Sequence, residues 1–200
     1  MKVNAGDIVT IAQGAEALKR LTRTGWAIAG VDVHRQESVA EHSYGTALLT
    51  LLISKSLQSS GIDVRLAQAL TMATLHDLAE SRISDIPHTA VIAGGEMMRE
   101  AKTAAERQAF SESIINDPLL MKLWDELERA ETLEARVVRG ADVVDMLVHA
   151  LSLEKSGVSP ELFSGFFDSS VKAVEKIDIQ IVSEIFALLK SQHERNLQRV

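Results

Sequence analysis

Three separated stretches carry side chains that could do chemistry together: His42, the adjacent pair His76-Asp77, and Asp142. The chain has no cysteine, which excludes disulfides, thiolate zinc sites and thiol nucleophiles. A bound metal must then take its ligands from His, Asp and Glu. Two imidazoles and two carboxylates make a mixed nitrogen and oxygen set. That set suits one divalent ion with open positions for water, namely Mn, Fe, Co, Ni or Zn. Such an ion makes its water an accessible nucleophile near neutral pH, which serves hydrolysis. Glu80 and Asp85 would then be spare carboxylates, one to take the proton from that water and the other to protonate a leaving oxygen.

Each of these groups interrupts an apolar pattern. On a helix over 63–82, Asp77 and Glu80 lie about 100° and 40° from His76, on the arc that carries Ala69, Met72 and Ala73. Ionisable groups on a buried arc need partners, because an unpaired buried charge costs several kcal/mol or changes its protonation. A metal would satisfy them. So would a His76–Asp77 hydrogen bond, with Glu80 exposed at the helix end. His42 lies on the stripe of Thr46, Leu49 and Ile53, where a hydrogen-bonded core histidine is the alternative to a ligand. Glu41 has a structural role as the carboxylate of a Ser38–Glu41 capping box. Asp142 shares a stripe with Ala135, Val138, Met146 and His149. Arg139 could pair with it, and Asp145 with His149 could form a chelate of their own.

The elements that must position these groups are helices. Ile8, Ile11, Ala15, Leu18 and Leu21 recur at helical spacing over 5–22. Residues 23–37 read as a loop. Helices are expected over 39–58, broken by Gly61, and over 63–82, ended near Ile86-Pro87. Further helices are expected over 95–115, from Asp117-Pro118 to about 130, and over 131–156, closed by Gly157. A short piece at 160–167 precedes a final helix over 168–198. No segment alternates as a strand does, and no linker divides the chain. The expectation is all-α, with residues 1–200 as a single domain.

Composition narrows the partners. The 200 residues carry 21 basic and 28 acidic side chains, a formal charge of -7. That balance argues against a nucleic-acid polymer or an anionic membrane as the main partner. A small phosphorylated ligand needs only a local positive site. No apolar run is long enough to span a bilayer. The stretch MKVNAGDIVTIAQ lacks the pattern of a secretory leader, so a cytoplasmic protein is expected.

The order His42 … His76-Asp77 … Asp142 resembles the HD-domain metal-dependent phosphohydrolase superfamily. The context ESVAEHS at 37–43, HDLAE at 76–80, SDIP at 84–87 and ADVVD at 141–145, with RTGW at 23–26, is similar to its 5'-deoxynucleotidase branch. The resemblance covers residues 15–155 and leaves the C-terminal helices, 160–198, without a motif. It implies an all-α HD-domain helical bundle that hydrolyses 2'-deoxynucleoside 5'-monophosphates to nucleoside and phosphate. Carried over, His42, His76, Asp77 and Asp142 match the ligands of one divalent metal ion. Glu80 matches the carboxylate that helps activate the attacking water. Asp85 matches a second carboxylate that contacts substrate and assists proton transfer. Arg23 matches the arginine that orients the phosphate, and a planar, permanently charged fork suits that task. Trp26 matches the tryptophan that crowds the sugar 2' position, although a core tryptophan is the other reading.

The chain departs from the family at three places. The turn Gly-Asp-(Ile/Leu)-Pro-Thr of the family is here Ser84-Asp85-Ile86-Pro87-His88, which puts His88 among the substrate contacts. Arg23 and Trp26 are separated by Thr24 and Gly25, as in archaeal and eukaryotic relatives. Ala141-Asp142-Val143 lacks the lysine that many relatives carry after the aspartate. Two other functions compete with the monophosphatase. One is the same centre acting on a cyclic phosphodiester or a nucleoside polyphosphate. The other is a non-catalytic helical module that senses a nucleotide. The resemblance also implies a homodimer. Leu162, Phe163, Phe166, Phe167, Ile177, Ile181, Ile185 and Phe186 offer it a surface, and core packing explains those residues equally well.

Overall fold

Asn4 starts the first helix with a reciprocal cap. Its side chain accepts from the Asp7 amide at 3.1 Å, and the Asp7 carboxylate accepts from the Asn4 amide at 2.9 Å. The computed structural model describes residues 3–199, the side chain of Val33 excepted. The helices are α1 Ala5–Ala15, α2 Thr24–Ile28, α3 Val39–Ser59, α4 Leu66–Leu75, α5 Glu80–Ile83, α6 His88–Ser113, α7 Pro118–Arg129, α8 Leu133–Lys155, α9 Ser164–Ile177 and α10 Gln180–Leu197. 3-10 turns lie at Glu16–Lys19, Val33–Arg35 and Pro160–Phe163. Among the described residues there is no strand, and Thr22 and Ser38 form a lone antiparallel bridge. The all-α expectation holds.

The stretch 23–37, expected as a loop, contains α2 and a 3-10 turn, and four expected helices differ in their bounds, each for a visible reason. The helix expected over 5–22 becomes α1 and a 3-10 turn, because Leu21 gives its carbonyl to the Val39 amide at 2.8 Å. The helix expected over 63–82 begins at Leu66, since Glu134 takes the Arg65 amide at 2.9 Å, and it ends at Leu75. Bonds from residue i to i−3 follow: Leu78 to Leu75, Glu80 to Asp77, Ser81 to Leu78 and Arg82 to Ala79. These tighten the chain out of α geometry, so His76 and Asp77 stand on a turn and Glu80 opens α5. The shared arc drawn for a continuous helix does not apply. The helix expected over 95–115 begins already at His88 and kinks at Gly95, where φ is 61° and ψ -146°. The helix expected over 168–198 is cut at Asp178, which adopts the left-handed conformation at φ 51°. Arg136 donates to the carbonyls of Ile177 and Asp178 at 3.2 and 3.3 Å, satisfying the free end of α9.

The residues divide into two units, Met1–Ser43 with Leu75–Asp125, and Tyr44–Thr74 with Glu126–Val200. In the first, Leu18, Val39, Leu78, Ala79, Ala109, Phe110, Ile114 and Trp124 form the core. Phe110 and Trp124 stack with ring centres 5.4 Å apart, a geometry worth about 0.5–1.5 kcal/mol beyond buried area. In the second unit, α8 packs against α9 and α10. Gly140 permits that approach, since a Cβ there would come within 2.9 Å of Val182 Cγ2. Phe163, Phe167, Ile177 and Phe186 are buried in this unit, so they serve its core and not a surface.

Candidate metal centre and active site

The first unit clips two segments together to build the site. The Arg23 amide donates to the Glu37 carbonyl at 3.1 Å, beside the Thr22–Ser38 bridge. Ser38 and Glu41 then form the expected capping box: Glu41 Oε2 accepts from the Ser38 amide at 2.7 Å, and Ser38 Oγ accepts from the Glu41 amide at 3.2 Å. This fixes the first turn of α3 and directs His42 inward, where it is fully buried. The tightened turn after α4 delivers the HD pair. His76 Nε2 lies 3.3 Å from His42 Nε2 and 3.1 Å from Asp77 Oδ2, and His42 Nε2 lies 3.7 Å from Asp77 Oδ2.

The two spacings from His76 Nε2 suit a common ion, and the His42–Asp77 spacing is slightly wider. Two donors bonded at about 2.1 Å, at a right or tetrahedral angle, lie about 3.0–3.4 Å apart. Glu80 supplies a second sign. Its Oε2 is buried without a hydrogen-bond partner. Burial first, and then the negative charges of Asp77 and Asp85, push Glu80 up to about 9, against the opposing pull of Arg23 and His42. A cluster that raises a carboxylate so far has room for positive charge. The donors present in this unit, two imidazoles and a carboxylate with two more carboxylates alongside, fit a divalent cation. Asp142 lies on α8 in the second unit, one turn before Asp145. The Asp145 carboxylate fills the space before Gly45, where a Cβ would meet Asp145 Oδ1 at 1.9 Å. Arg139 donates to Glu128.

The remaining expected contacts are arranged as follows. Arg23 Nη1 lies 3.0 Å from His42 Nδ1 and 3.6 Å from Glu37 Oε1. Trp26 is buried, and its indole N–H donates to Glu37 Oε1 at 3.0 Å. Asp85 Oδ2 accepts from both the amide and the hydroxyl of Thr24, each at 2.7 Å. His88 opens α6 and is exposed. Ser84 turns through φ 67° and ψ 169°, a conformation that glycine takes cheaply, which accounts for glycine at this place in the family turn. Sequence reasoning passed over Glu37 and Thr24. Glu37 stood inside the ESVAEHS motif without a role, and Thr24 was read only as an insertion. Neither type signals its partner in sequence, because each acts on a residue held by tertiary structure.

A family model described as HD domain matches residues 15–186. The chain belongs to the HD-domain family. Among HD-domain relatives, the 5'-deoxynucleotidase HDDC2 of Homo sapiens is 31% identical over 173 residues, covering 85% of this chain and 80% of that protein. A solved structure of a conserved hypothetical protein from Pyrococcus furiosus is 33% identical, with a TM-score of 0.78, covering 92% of this chain and 99% of that one. The structure of an HD-domain phosphohydrolase from Listeria innocua has a TM-score of 0.76 at 20% identity, covering 96% of this chain and 93% of that one, and it shares the fold. The resemblance read from H…HD…D thus holds. The residues that give the HD family its name are the pair on the turn after α4.

Proposed function

We propose that this HD-domain protein is a metal-dependent phosphatase that hydrolyses nucleoside 5'-monophosphates, with 2'-deoxynucleoside 5'-monophosphates preferred, to nucleoside and phosphate. The observation that carries the reading is the convergence of His42, His76 and Asp77 beside the unpartnered Glu80 and the Arg23 guanidinium. The similarity to 5'-deoxynucleotidases over most of both chains supports it.

In this reading His42, His76, Asp77 and Asp142 hold one divalent cation, of Mn, Co, Fe, Ni or Zn. When bound, the cation supplies positive charge that offsets the phosphate and acidifies water. Arg23 orients the phosphate through its fork. Glu80 takes the proton of the attacking water on Oε2. Asp85, with Oδ2 held by Thr24, uses Oδ1 to contact substrate and to return a proton to the departing 5'-oxygen. His88, exposed on the first turn of α6, is a further substrate contact in this reading. Trp26 walls the sugar side by holding Glu37 and, through it, the Arg23 segment.

The substrate is a small soluble nucleotide rather than a nucleic-acid polymer or a membrane lipid. No helix among the described residues is long and apolar enough to cross a membrane. The cytoplasm and a homodimer complete the proposal, as does a single HD domain over the whole chain. Tyr44, Leu48 and Leu52, spaced i, i+4 and i+8 on α3, are exposed and support an association surface.

A panel of nucleotides with added Mn or Co tests the function. Phosphate release from dAMP and much less from AMP is expected. Release only from cyclic diesters or polyphosphates would move the substrate class, and nucleotide binding without turnover would make the chain a sensor.

A further inference from the structure

Breaking the bond between phosphorus and a nucleoside 5'-oxygen leaves that oxygen as an alkoxide, a strong base that needs a proton as it departs. A carboxyl group delivers its proton from one oxygen only. Aspartate does not set which way that oxygen points, because its χ2 is broad and two-fold. At Asp85 the direction is set by Thr24. The Thr24 amide donates to Asp85 Oδ2 at 2.7 Å, and the Thr24 hydroxyl donates to the same oxygen at 2.7 Å. A backbone amide only donates, so a proton on Oδ2 would face the amide hydrogen. Any proton that Asp85 carries therefore sits on Oδ1, which accepts no hydrogen bond among the described residues.

The clamp is built from the start of a helix. Thr24 is the first residue of α2, and the leading amides of a helix have no partner inside it. Its neighbour Arg23 is extended, at φ -69° and ψ 120°, and gives its own amide to the Glu37 carbonyl at 3.1 Å. Consecutive residues thus carry the fork proposed for the phosphate and the grip on Asp85. On the far side, the backbone at Ser84 and Pro87 fixes where Asp85 stands, and it does not fix the rotation of the carboxyl.

We infer that Thr24 is a positioning residue for the departure step: holding Oδ2 with two donors, it aims the Oδ1 proton of Asp85 at the leaving 5'-oxygen. The inference rests on the phosphatase proposed above. In that step the bond from phosphorus to the 5'-oxygen breaks, its electron pair stays on the oxygen, and the Oδ1 proton joins that pair. The oxygen of water forms the new bond to phosphorus and leaves its proton on Glu80. Asp85 ends as a carboxylate and Glu80 gains a proton, and exchange with solvent restores both. Thr24 then matters in proportion to the basicity of the leaving atom. An atom that departs as a stable anion needs no proton and has no use for the clamp.

Two substrates that differ only in the leaving atom test this: dAMP, and its analogue with sulfur in place of the bridging 5'-oxygen, each given to the full chain with saturating Mn2+. A thiolate departs without a proton. Thr24→Val keeps the amide and the shape of the side chain and deletes the hydroxyl. It is expected to lower kcat for dAMP about ten- to a hundredfold with KM changed by less than about twofold, and to leave kcat for the sulfur analogue within about twofold. Thr24→Ser, which keeps both donors, should restore kcat for dAMP to within about threefold of wild type. Equal losses on both substrates would make Thr24 a purely structural residue and overturn the inference. An unchanged rate on dAMP, or no recovery in Thr24→Ser, would overturn it as well. So would a wild type that cleaves dAMP but not the analogue, because protonation of the leaving atom would then not be what the site assists. A wild type that releases phosphate from neither would remove the phosphatase and the inference together.

Discussion

Glu80, half-buried with its Oε2 enclosed, and the buried Glu134 belong to the two different units, and they hold their protons with opposite strength. Glu80 is pushed up to about 9 by burial and by the charges of Asp77 and Asp85. Glu134 is held down to about 2 by hydrogen bonds from the Arg65 side chain, helped by the Arg65 amide. Arg65 reaches it with Nε and Nη2 at 3.0 and 2.9 Å and with its backbone N–H at 2.9 Å. One glutamate has both oxygens hydrogen-bonded, and it lies in the N-terminal turn of α8. The other has an oxygen with no partner and negative neighbours. The second unit uses buried charge to hold helices in place, as it does again where Glu154 accepts from His193 at 2.6 Å and from Asn196. The first unit gathers Asp77, Asp85 and Glu80, and burial together with their mutual repulsion keeps the proton on Glu80. A carboxylate left in that state is poised for proton transfer.

Breaking the contrast at Glu80 should have the largest effect. Glu80→Gln is expected to lower kcat about a hundred- to ten-thousand-fold while cation binding persists, and Asp77→Ala to abolish both. Steady-state kinetics with metal analysis of the same samples checks this, and a wild-type rate for Glu80→Gln at saturating metal would remove Glu80 from the chemistry.

The next effect concerns stability without cation. Glu80 binds its proton more tightly in the folded chain than unfolded, so the fold loses stability as pH rises from about 4.5 toward 9. At pH 7 the folded chain keeps this group protonated, and the proton taken up on folding costs on the order of 3 kcal/mol. Glu80→Gln in chelator should melt higher than wild type at pH 7–8 and equal to it near pH 4. Equal melting at both ends would mean that Glu80 ionises freely.

Glu134 should behave in the reverse sense and with smaller size. Its depressed value adds stability that is fully present above about 4.5 and is lost as pH falls toward 2. Arg65 is more than half exposed, so solvent screening reduces the gain to about 1–2 kcal/mol. Arg65→Ala should flatten the acid limb of the denaturation curve between pH 4.5 and 2, and an unchanged limb would assign that stability elsewhere.

The sequence made legible what depends on local pattern. The capping box at Ser38–Glu41, the helix over 39–58 and the end at Gly157 follow from residues within one or two turns. The turn at His76–Ala79 was not legible, because the apolar run through Leu75 and Leu78 suits a continuous helix and only tertiary packing favours the tighter bonds. Asp178 likewise breaks a helical pattern with help from Arg136, 42 residues earlier. At the site, His42, His76, Asp77 and Glu80 were visible as ionisable groups in apolar patterns, and Asp85 through the resemblance of its turn to the family's. Glu37 was hidden, since its partners Trp26 and Arg23 lie across a loop whose course the sequence does not state.

Thr24 spends both of its donors on a single oxygen of Asp85. A carboxylate is symmetric by nature, and this grip makes Asp85 one-sided, with Oδ2 tied down. Two strands of chain sixty residues apart are thereby riveted into one jaw. The pair Thr24-Gly25, which lengthens the gap between arginine and tryptophan, is the rivet and not slack.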